Sequence, residues 1–472
     1  MLHDGPMGAS SVRREPGGGP NGEDILVSET GDAFAPRVLD TPEIEIVRGN
    51  GQSWQTIDNH SPRRLDDEDP TGAARAALQA HRTVGVLALR RQRPYTPKFN
   101  PYRLPHLSRL PHKQSPSSDG CRVDDLHPID LGGGFTVLEA ALSAREVWQA
   151  RWGLPRRATV AWGAGWGGGH HSLFLPESAG GAVAREGDAT DVDPSTSYFW
   201  DRDRRTRDQI ERIVLERYGR TSLYRHRTWL QGPSKSEAQY REFLETMRRV
   251  EDATPEGPLH AFNDQGIAPT DTPHLAAGAM AQLRFAQANA SGRDWLVGPR
   301  HPFRLTGTVH HSSMGSLLLA EMTGLAMAEV ERFGDWTPLW TREEDVRVSG
   351  RTITIETSRP RHGDGRLFVS RELTRLRAHG FALRDRGRNA AVRIASVAFQ
   401  GTSITIEAAT DLPSSLGIEY AFRGVVQPDG RKSAPSHSAA WGNVRMRSTL
   451  DRALIPGRIE YALCAFRYEI GL

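Results

Sequence analysis

Cysteine, lysine and long apolar runs are scarce in this sequence. The two cysteines, Cys121 and Cys464, are too few for a disulfide framework. No stretch reaches the roughly 18 uninterrupted apolar residues of a transmembrane helix, and the nearest candidate, Met314 to Met327, is broken by Glu321. Residues 1–20 lack the apolar core of a signal peptide. We therefore expect no membrane insertion and no export signal, and the sequence leaves the compartment open.

The positive charge is carried almost entirely by arginine. Lysine occurs only at positions 98, 113, 235 and 432, among 60 Lys and Arg residues that face 57 Asp and Glu. A formal net charge of +3 is small for 472 residues, so we expect no nucleic-acid partner. The bias towards arginine is explained more simply by genome base composition than by an arginine-based binding surface.

The length, the composition and the pattern of predicted elements indicate a soluble protein with more than one domain. A chain of 472 residues exceeds one typical core, and 38% hydrophobic with 25% charged residues is typical of globular proteins. Residues 1–40 are rich in glycine, proline and charge, which indicates a flexible arm. Strands alternate with helices over residues 41–334, whereas short alternating strands fill residues 335–472. We predict an α/β domain with a doubly wound parallel sheet, followed by a C-terminal β-sandwich domain of about seven strands.

Hydrophobic periodicity gives the individual elements. In the α/β region the predicted helices cover 135–152, 206–218, 237–250, 275–289 and a segment from just after His310 to near Gly334, with a short helix at 72–81. Further strands are predicted at 83–89, 258–265 and 294–297. In the last region the predicted strands cover 346–348, 352–355, 366–369, 381–384, 393–399, 402–407 and 418–422, with one helix at 371–379.

Three predicted strands end in loops that carry candidate functional groups. Ile44 to Val47 is followed by the turn Arg48–Gly51, and Ala158 to Trp162 is followed by glycines at 163, 165 and 167–169. The stretch Ser222–Gly232 again has a strand followed by a glycine turn, although its cationic side chains are unusual for a strand buried on both faces. Open α/β sheets bind ligands at the carboxyl ends of their strands. These loops are therefore where we expect a site.

Each loop allows more than one interpretation on its own. Ser53, directly after Gly51-Gln52, is either a nucleophile or an ordinary loop serine. The glycine run permits successive amides to point into one cavity, but it lacks the lysine and Ser/Thr pair of a phosphate-binding loop. His170 and His171 adjoin that run, and adjacent histidines without a further spaced ligand do not make a metal site. We predict no metal.

The order of these motifs resembles the SGNH/GDSL hydrolase superfamily. The branch that it resembles contains acetylesterases related to sialate O-acetylesterase, including versions in phage tail and tail-fibre proteins. The resemblance covers about residues 44–334, and its fold would be the flavodoxin-like sheet of that superfamily. A β-domain often follows in the phage versions, and the C-terminal region looks like it. The matching motifs are Gly51-Gln52-Ser53, Gly167-Gly168, Trp229-Leu230-Gln231-Gly232, Ala281 to Ala286, Gly307-Thr308-Val309-His310 with Gly315, and Trp441-Gly442-Asn443.

The resemblance implies a serine esterase that needs no metal and no organic cofactor. Ser53 would be the nucleophile, and the spacing to Gly315 selects His310 rather than His311 as the base. The amides of Ser53 and Gly168 and the side chain of Gln231 would form the oxyanion hole. The implied substrate is an acetylated carbohydrate, and the implied macromolecular partners are phage tail components.

Trp162 and Trp166, on either side of the first glycines, are candidate substrate-binding residues. Their indole rings could supply a face for sugar stacking, and packing in the core or at the rim is the equally open alternative. A lipase or thioesterase on the same scaffold is a further hypothesis. We rank it lowest because the loops show no apolar channel for a long acyl chain.

Three positions depart from the family pattern. Trp54 replaces the usual asparagine, Pro233 replaces a glutamate, and Gly307 stands where the triad aspartate is expected. Loss of that aspartate costs on the order of 10⁴-fold in measured triads, although a serine–histidine pair with an oxyanion hole retains activity. Another carboxylate, for example Asp264, could reach His310. The competing hypothesis is a catalytically impaired esterase-fold module that serves carbohydrate binding or tail structure.

Overall fold

The structure is a computed structural model, and it describes only part of the chain. The described residues fall into two compact units, unit 1 within Met1–Trp229 and Thr246–His260, and unit 2 within Leu230–Glu245 and Ala261–Leu472. The described residues are 12–15, 25–28, 44–51, 56–57, 86–88, 127–128, 135–154, 158–163, 175–179, 208, 211–212, 215–216, 222–230, 236–253, 260–266, 277–303, 311, 313–370, 376–422 and 442–472.

The elements of these ranges include four α-helices and several β-sheets. The helices are α1 (Val137–Arg151), α2 (Glu237–Asp252), α3 (Ala277–Ala288) and α4 (Ser313–Phe333). The strands are β1 (Val12–Glu15), β2 (Ile25–Ser28), β3 (Ile44–Gly51), β4 (Thr56–Ile57), β5 (Val86–Ala88), β6 (His127–Pro128), β7 (Phe135–Thr136), β8 (Ala158–Gly163), β9 (Ser222–Leu230), β10 (His260–Gln265), β11 (Asp294–Pro299), β12 (Val346–Ser349), β13 (Thr352–Glu356), β14 (Gly363–Val369), β15 (Phe381–Asp385), β16 (Ala390–Val392), β17 (Ile394–Gln400), β18 (Ser403–Ala408), β19 (Ser415–Tyr420), β20 (Val444–Asp451), β21 (Arg458–Ala462) and β22 (Phe466–Gly471).

Unit 1 contains a mixed sheet with a parallel centre. β3 and β5 each pair in parallel with β8, while β6 pairs antiparallel with β5 at the edge. β9 is the neighbour of β3 on the side away from β8. Helix α1 lies in sequence between β5 and β8, as a crossover between two parallel strands requires. The predicted parallel α/β arrangement is therefore present in the described part of this unit.

The first strand of the sheet is longer than the sequence predicts. The turn expected from Arg48 onwards is wrong, because β3 continues to Gly51. Arg48 lies opposite Trp162 of β8, and Gly49 lies opposite Gly163, so the parallel ladder extends into the glycine-containing segment. Ladder hydrogen bonds with a neighbouring strand override the local preference of glycine and asparagine for a turn.

The charged stretch in β9 is accommodated by a buried ion pair. His226 and Arg227 are both buried, as are the three residues after them. The guanidinium Nε of Arg227 lies 2.5 Å from Oε1 of Glu251 in α2, and the two side chains are only 1% and 3% exposed. A buried guanidinium is tolerated when a carboxylate compensates its charge. The strand prediction holds because that partner comes from a helix about 24 residues further along.

Unit 2 contains two buried parallel strands. β10 and β11 pair in parallel from Ala261 opposite Asp294, with an irregularity between Asn263 and Asp264. Helix α4 ends at Phe333, and Gly334 follows with φ +78, the left-handed conformation that commonly closes a helix. The predicted end near Gly334 is confirmed.

Within the described residues, no helix is long and apolar enough to span a membrane.

The strands after α4 form three antiparallel sheets. Their orders are β12-β13-β18-β17, β14-β20-β21 and β16-β15-β19-β22. The described part of residues 335–472 thus contains eleven strands rather than about seven, since β16 and β20–β22 were not predicted. A two-sheet sandwich and a domain boundary at residue 335 stay predictions.

The helix predicted at 371–379 is wrong where the structure describes it. Arg377–Gly380 forms a short 3₁₀ turn, and residues 371–375 lie outside the described ranges. Ala378 and His379 have φ values of 49° and 56° in this turn, a left-handed conformation that cannot continue an α-helix.

Contacts within unit 2 join these sheets to the preceding helices and strands. The side chain of Gln265, at the end of β10, accepts a hydrogen bond from the amide of Ala465 at 2.7 Å and donates one to its carbonyl at 2.6 Å. The carboxylate of Glu321 accepts hydrogen bonds from three successive amides, of Ala453 at 2.8 Å, Leu454 at 2.5 Å and Ile455 at 3.2 Å. The glutamate that interrupts the apolar run of α4 therefore anchors a loop of the C-terminal region.

The Gly442-Asn443 pair has a packing role in this region. A Cβ atom on residue 442 would overlap the ring of Tyr420, so only glycine fits there. The hydroxyl of Tyr420 accepts a hydrogen bond from the amide of Val444 at 2.9 Å. The carbonyl of Asn443 accepts one from the amide of Ser370 at 2.8 Å. Packing against Tyr420 therefore accounts for the glycine of this motif without a ligand.

Candidate functional site

Most of the predicted site residues lie outside the described residues. Ser53, Gly168, Gln231 and His310 do so, and so does Trp166. Trp162 belongs to β8, where its backbone pairs with that of Arg48 in β3. The predicted catalytic and oxyanion-hole roles therefore stay predictions. What the structure describes is the framework to which these residues are attached.

The framework consists of neighbouring strand ends. β3 ends at Gly51, two residues before Ser53, and β8 ends at Gly163, five residues before Gly168. Because β3 and β8 are parallel and in register, both segments leave the sheet at the same edge. β9, the other neighbour of β3, ends at Leu230, one residue before Gln231. The three loops with predicted site residues thus follow three adjacent strands.

The residues that precede Gln231 are fixed in the core of the protein. Trp229 is fully buried and Leu230 is 2% exposed. The guanidinium carbon of Arg227 lies 5.7 Å from the centre of the Trp229 ring, within range of a cation–π contact. Together with the Arg227–Glu251 ion pair, these contacts anchor the last residues of β9 in the core.

His311, the residue directly after the predicted base, is buried and hydrogen bonded. Its side chain is 2% exposed. Nε2 lies 3.1 Å from the carbonyl oxygen of Arg300, and Nδ1 lies 3.5 Å from Nη2 of the same arginine. Since the carbonyl can only accept and the guanidinium can only donate, His311 carries its proton on Nε2 and accepts at Nδ1. The ring of Phe303 meets it edge-on at 6.0 Å.

Asp264 does not have the electrostatic character of a triad acid. It is 2% exposed, and burial raises the pKa of its carboxyl group to about 8, an effect that the positive charge of Arg300 only partly offsets. The carboxyl group is thus largely protonated at pH 7. A neutral group lacks the negative charge that would stabilise an imidazolium. Among the described residues, its Oδ1 has no hydrogen-bond partner.

Arg300 is the buried cation of this region. Burial lowers the pKa of its guanidinium to about 10, an effect that electrostatic interactions with Asp264 and Tyr240 partly offset. Its amide donates a hydrogen bond to the carbonyl of Gln265 at 3.2 Å, which ties the turn after β11 to the end of β10. Neither Arg300 nor His311 was selected from the sequence, where the spacing to Gly315 favoured His310 over His311.

No metal site is present among the residues that the structure describes, since none of them form a group of three or more histidine, cysteine or acidic ligands. The described histidine pair in unit 1, His226 and His260, has ring centres 5.9 Å apart. Two histidines without a third ligand do not define a metal centre.

Comparison with solved structures shows that the fold is similar to that of an esterase. The chain is similar to a carbohydrate acetylesterase from Xanthomonas citri, with a TM-score of 0.53 and 11% identity, over 96% of this chain and 85% of that one. A protein from Arabidopsis thaliana aligns over 62% of this chain and 99% of its own at 13% identity, but its TM-score of 0.33 is too low to inform the fold. No family model and no curated protein matches the sequence. The chain therefore has a mixed α/β fold like that of a carbohydrate acetylesterase.

Proposed function

We propose that this protein is a serine esterase that removes O-acyl groups, chiefly O-acetyl groups, from a carbohydrate. In this proposal the α/β part has the doubly wound sheet of SGNH hydrolases and the last region is an appended β-sandwich. The main observation that supports this proposal is the arrangement of the strands. The motifs with Ser53, Gly168 and Gln231 follow the ends of β3, β8 and β9, which are neighbours in one sheet. The fold likeness to a carbohydrate acetylesterase supports the same conclusion.

The proposed reaction is acyl transfer through a covalent intermediate. Ser53 Oγ attacks the ester carbonyl while His310 takes its proton, and the amides of Ser53 and Gly168 with the side chain of Gln231 stabilise the oxyanion. The C–O bond of the sugar ester then breaks, and His310 returns the proton to the leaving hydroxyl. Water, deprotonated by His310, hydrolyses the acyl-enzyme to release the carboxylic acid. Trp162 and Trp166 are the proposed sugar-stacking residues.

The missing aspartate favours one alternative. Gly307 supplies no carboxylate, and Asp264 is largely neutral at pH 7. A module that keeps the esterase fold but has lost efficient turnover, and that serves carbohydrate binding or phage tail structure, would carry the same features. The two proposals differ in whether Ser53 is reactive.

Covalent labelling separates the two proposals. A fluorophosphonate probe should label the wild-type protein and leave Ser53→Ala unlabelled, because the probe reacts with an activated serine. Before labelling, the wild-type protein should also hydrolyse p-nitrophenyl acetate, and His310→Asn should lower that rate by at least about 10³-fold. A wild-type protein that neither takes up the probe nor hydrolyses the ester would exclude the esterase and leave the binding module.

A further inference from the structure

We propose that a cavity in unit 2 is a sugar-binding subsite, which holds two neighbouring hydroxyl groups of a carbohydrate, a vicinal diol. The cavity lies between the turn after β11, helix α4 and the strands β20 and β21. Its described lining includes none of the residues predicted for ester hydrolysis. The inference rests on the proposed function only for the class of ligand, a carbohydrate.

The walls of the cavity are mainly apolar. Leu319 and Leu339 are 2% and 1% exposed, Pro302 is buried, and Phe303 is half-buried. The internal space is about 20 Å³, whereas a water molecule needs roughly 10–15 Å³. The cavity is partly open to solvent, so a small part of a larger ligand enters it and the remainder stays outside. Apolar walls with a few polar groups are typical of ligand sites.

One ion pair supplies the charged groups of the described lining. Arg445 in β20 and Glu460 in β21 lie on adjacent strands, with Nη1 of the arginine 2.6 Å from Oε2 of the glutamate. Their side chains are 9% and 20% exposed, so both groups are largely removed from water. Among the described residues, Glu460 makes no other hydrogen bond. Because the two charges compensate each other, the pair favours a neutral ligand over an ion.

A vicinal diol has the hydrogen-bonding groups that this pair requires. A guanidinium group only donates hydrogen bonds and a carboxylate only accepts them, whereas a hydroxyl group does both. One hydroxyl group of the diol therefore accepts from Arg445 while its neighbour donates to Oε1 of Glu460. Hydrogen bonds to charged groups are stronger than those between neutral groups. An alcohol with a single hydroxyl group makes only one of the two, so the pair selects a diol.

The place of the cavity in the fold is one where ligands commonly bind. Pro299 lines the cavity and is the last residue of β11, which pairs in parallel with β10. Open α/β sheets bind ligands beyond the carboxyl ends of their strands. Since β20 and β21 supply the ion pair, the C-terminal strands contribute directly to ligand binding in this proposal.

Met322 provides a local reporter of binding, because it lines the cavity and is one of only eight methionines. In spectra of protein labelled with ¹³C-methyl methionine, its signal is the one absent from Met322→Leu. We expect trans-1,2-cyclohexanediol and methyl β-glucoside to shift this signal with Kd values in the millimolar range. Cyclohexanol should bind at least about 10-fold more weakly, because it lacks the second hydroxyl group. A diol that binds no better than cyclohexanol, or that causes no shift, would overturn the inference.

A matched pair of alanine variants tests the location. Ala462 of β21 lines the cavity, and Ala462→Val should fill it and weaken binding of the diol by at least about 10-fold. Ala382→Val is the control, because that alanine lies in β15 and does not line the cavity, and its Kd should stay within about 2-fold of the wild type. Equal Kd values for the two variants would contradict the assignment. If Ala462→Val does not fold, Glu460→Gln, which removes one acceptor oxygen, must weaken binding by at least about 5-fold.

The variant Ser53→Ala separates failure of the subsite from failure of the esterase. It should bind the diol as the wild type does, because residue 53 is not part of the described lining. A protein that binds the diol but does not react with the fluorophosphonate retains the subsite and excludes the esterase. A protein that reacts, but whose Met322 signal does not respond to the diol, excludes the subsite alone.

Discussion

Among single residues, Glu329 shows that burial can change the pKa of a carboxyl group more than a neighbouring cation does. Its side chain is 2% exposed, with Oε2 at 3.9 Å from Nε of Arg361 and Oε1 at 3.7 Å from Nε2 of His362. Burial raises the pKa of Glu329 to about 8, Asp335 raises it further, and Arg361 lowers it. Burial and the charges of Arg361 and Arg332 lower the pKa of His362, so that histidine is largely neutral at pH 7.

Glu329 makes the stability of unit 2 depend on pH. Its carboxyl group has a pKa of 4.5 without these surroundings and about 8 in the folded protein. The contribution of protonated Glu329 to the free energy of unfolding is therefore fully present below pH 4.5. It is lost as the pH rises towards 8, because the unfolded chain releases the proton first. Glu329→Gln should flatten the fall in unfolding free energy between pH 5 and 8, and should add on the order of 1–3 kcal/mol at pH 8.

Urea denaturation at pH 5, 6.5 and 8 measures this effect. Glu344→Gln is the control, because that side chain is 69% exposed and a surface ion pair contributes little. Parallel pH profiles for the wild type and Glu329→Gln would show that Glu329 is ionised in the folded state.

The sequence was sufficient to predict which residues belong to the candidate site, but not their contacts or their protonation states. Order and spacing selected Ser53 and His310 because family motifs are local in sequence. The hydrogen bonds between Arg300 and His311 join segments 11 residues apart, which no motif encodes. The protonation of Asp264 likewise follows from burial, a property of the folded chain rather than of the stretch around residue 264.

Among the elements, helix α4 is distinguished by a buried carboxylate in its apolar centre. Glu321 accepts three backbone hydrogen bonds from residues 453–455, a concave group of amides of the kind that binds anions. Burial raises the pKa of Glu321, and the same three amides counteract that effect. Three amides of the loop between β20 and β21 therefore have this side chain as their hydrogen-bond acceptor.

Removing Glu321 should destabilise unit 2 more than any surface substitution. Glu321→Ala leaves three amides without their acceptor and should lower the unfolding free energy by about 3–5 kcal/mol. Glu321→Gln keeps one carbonyl oxygen and should cost less. Urea denaturation measures both, and Glu344→Ala, expected to change stability by less than about 1 kcal/mol, is the control. A loss for Glu321→Ala no larger than that of Glu344→Ala would contradict this role.

Elements with clear periodicity were predicted well, and their exceptions have physical causes. Helices α1 to α4 and strands β8 to β11 lie where the apolar spacing places them. The described residues of the helix predicted at 206–218 are helical too. Strand β20 was not predicted, and in the structure its Arg445 is buried although alternation assigns that position to solvent. Its partner Glu460 in β21, at 2.6 Å, compensates the buried charge. The short helix predicted at 72–81 lies outside the described residues.

At the scale of the molecule, unit 2 combines the last α/β elements with the C-terminal strands. Trp336 Nε1 donates to the carbonyl of Leu296 in β11 at 2.9 Å, which is a hydrogen bond across the boundary predicted at residue 335. The hydrogen bonds of Gln265 with Ala465, of His301 with Leu463 and of Glu321 with residues 453–455 cross the same boundary. We therefore expect these elements to unfold together.

Hydrogen exchange should therefore show one cooperative unit on both sides of residue 335. We expect the amides of α4 and of β20 to exchange with the same opening free energy, and Gln265→Leu to lower both by equal amounts. Mass spectrometry of peptides from 313–333 and 444–451 measures the two values. Rapid exchange in β20 with α4 still protected would instead support an independent domain beginning at residue 335.

The hydrogen bonds between Gln265 and Ala465 also affect how the protein is made. The two residues are 200 positions apart, so β10 lacks this partner until that much more chain has been synthesised. At 5–20 residues per second the delay is about 10–40 s. During this time a buried glutamine amide of the α/β sheet is exposed to the cell. The nascent chain is therefore most susceptible to chaperones and proteases in the interval before the final strands emerge from the ribosome.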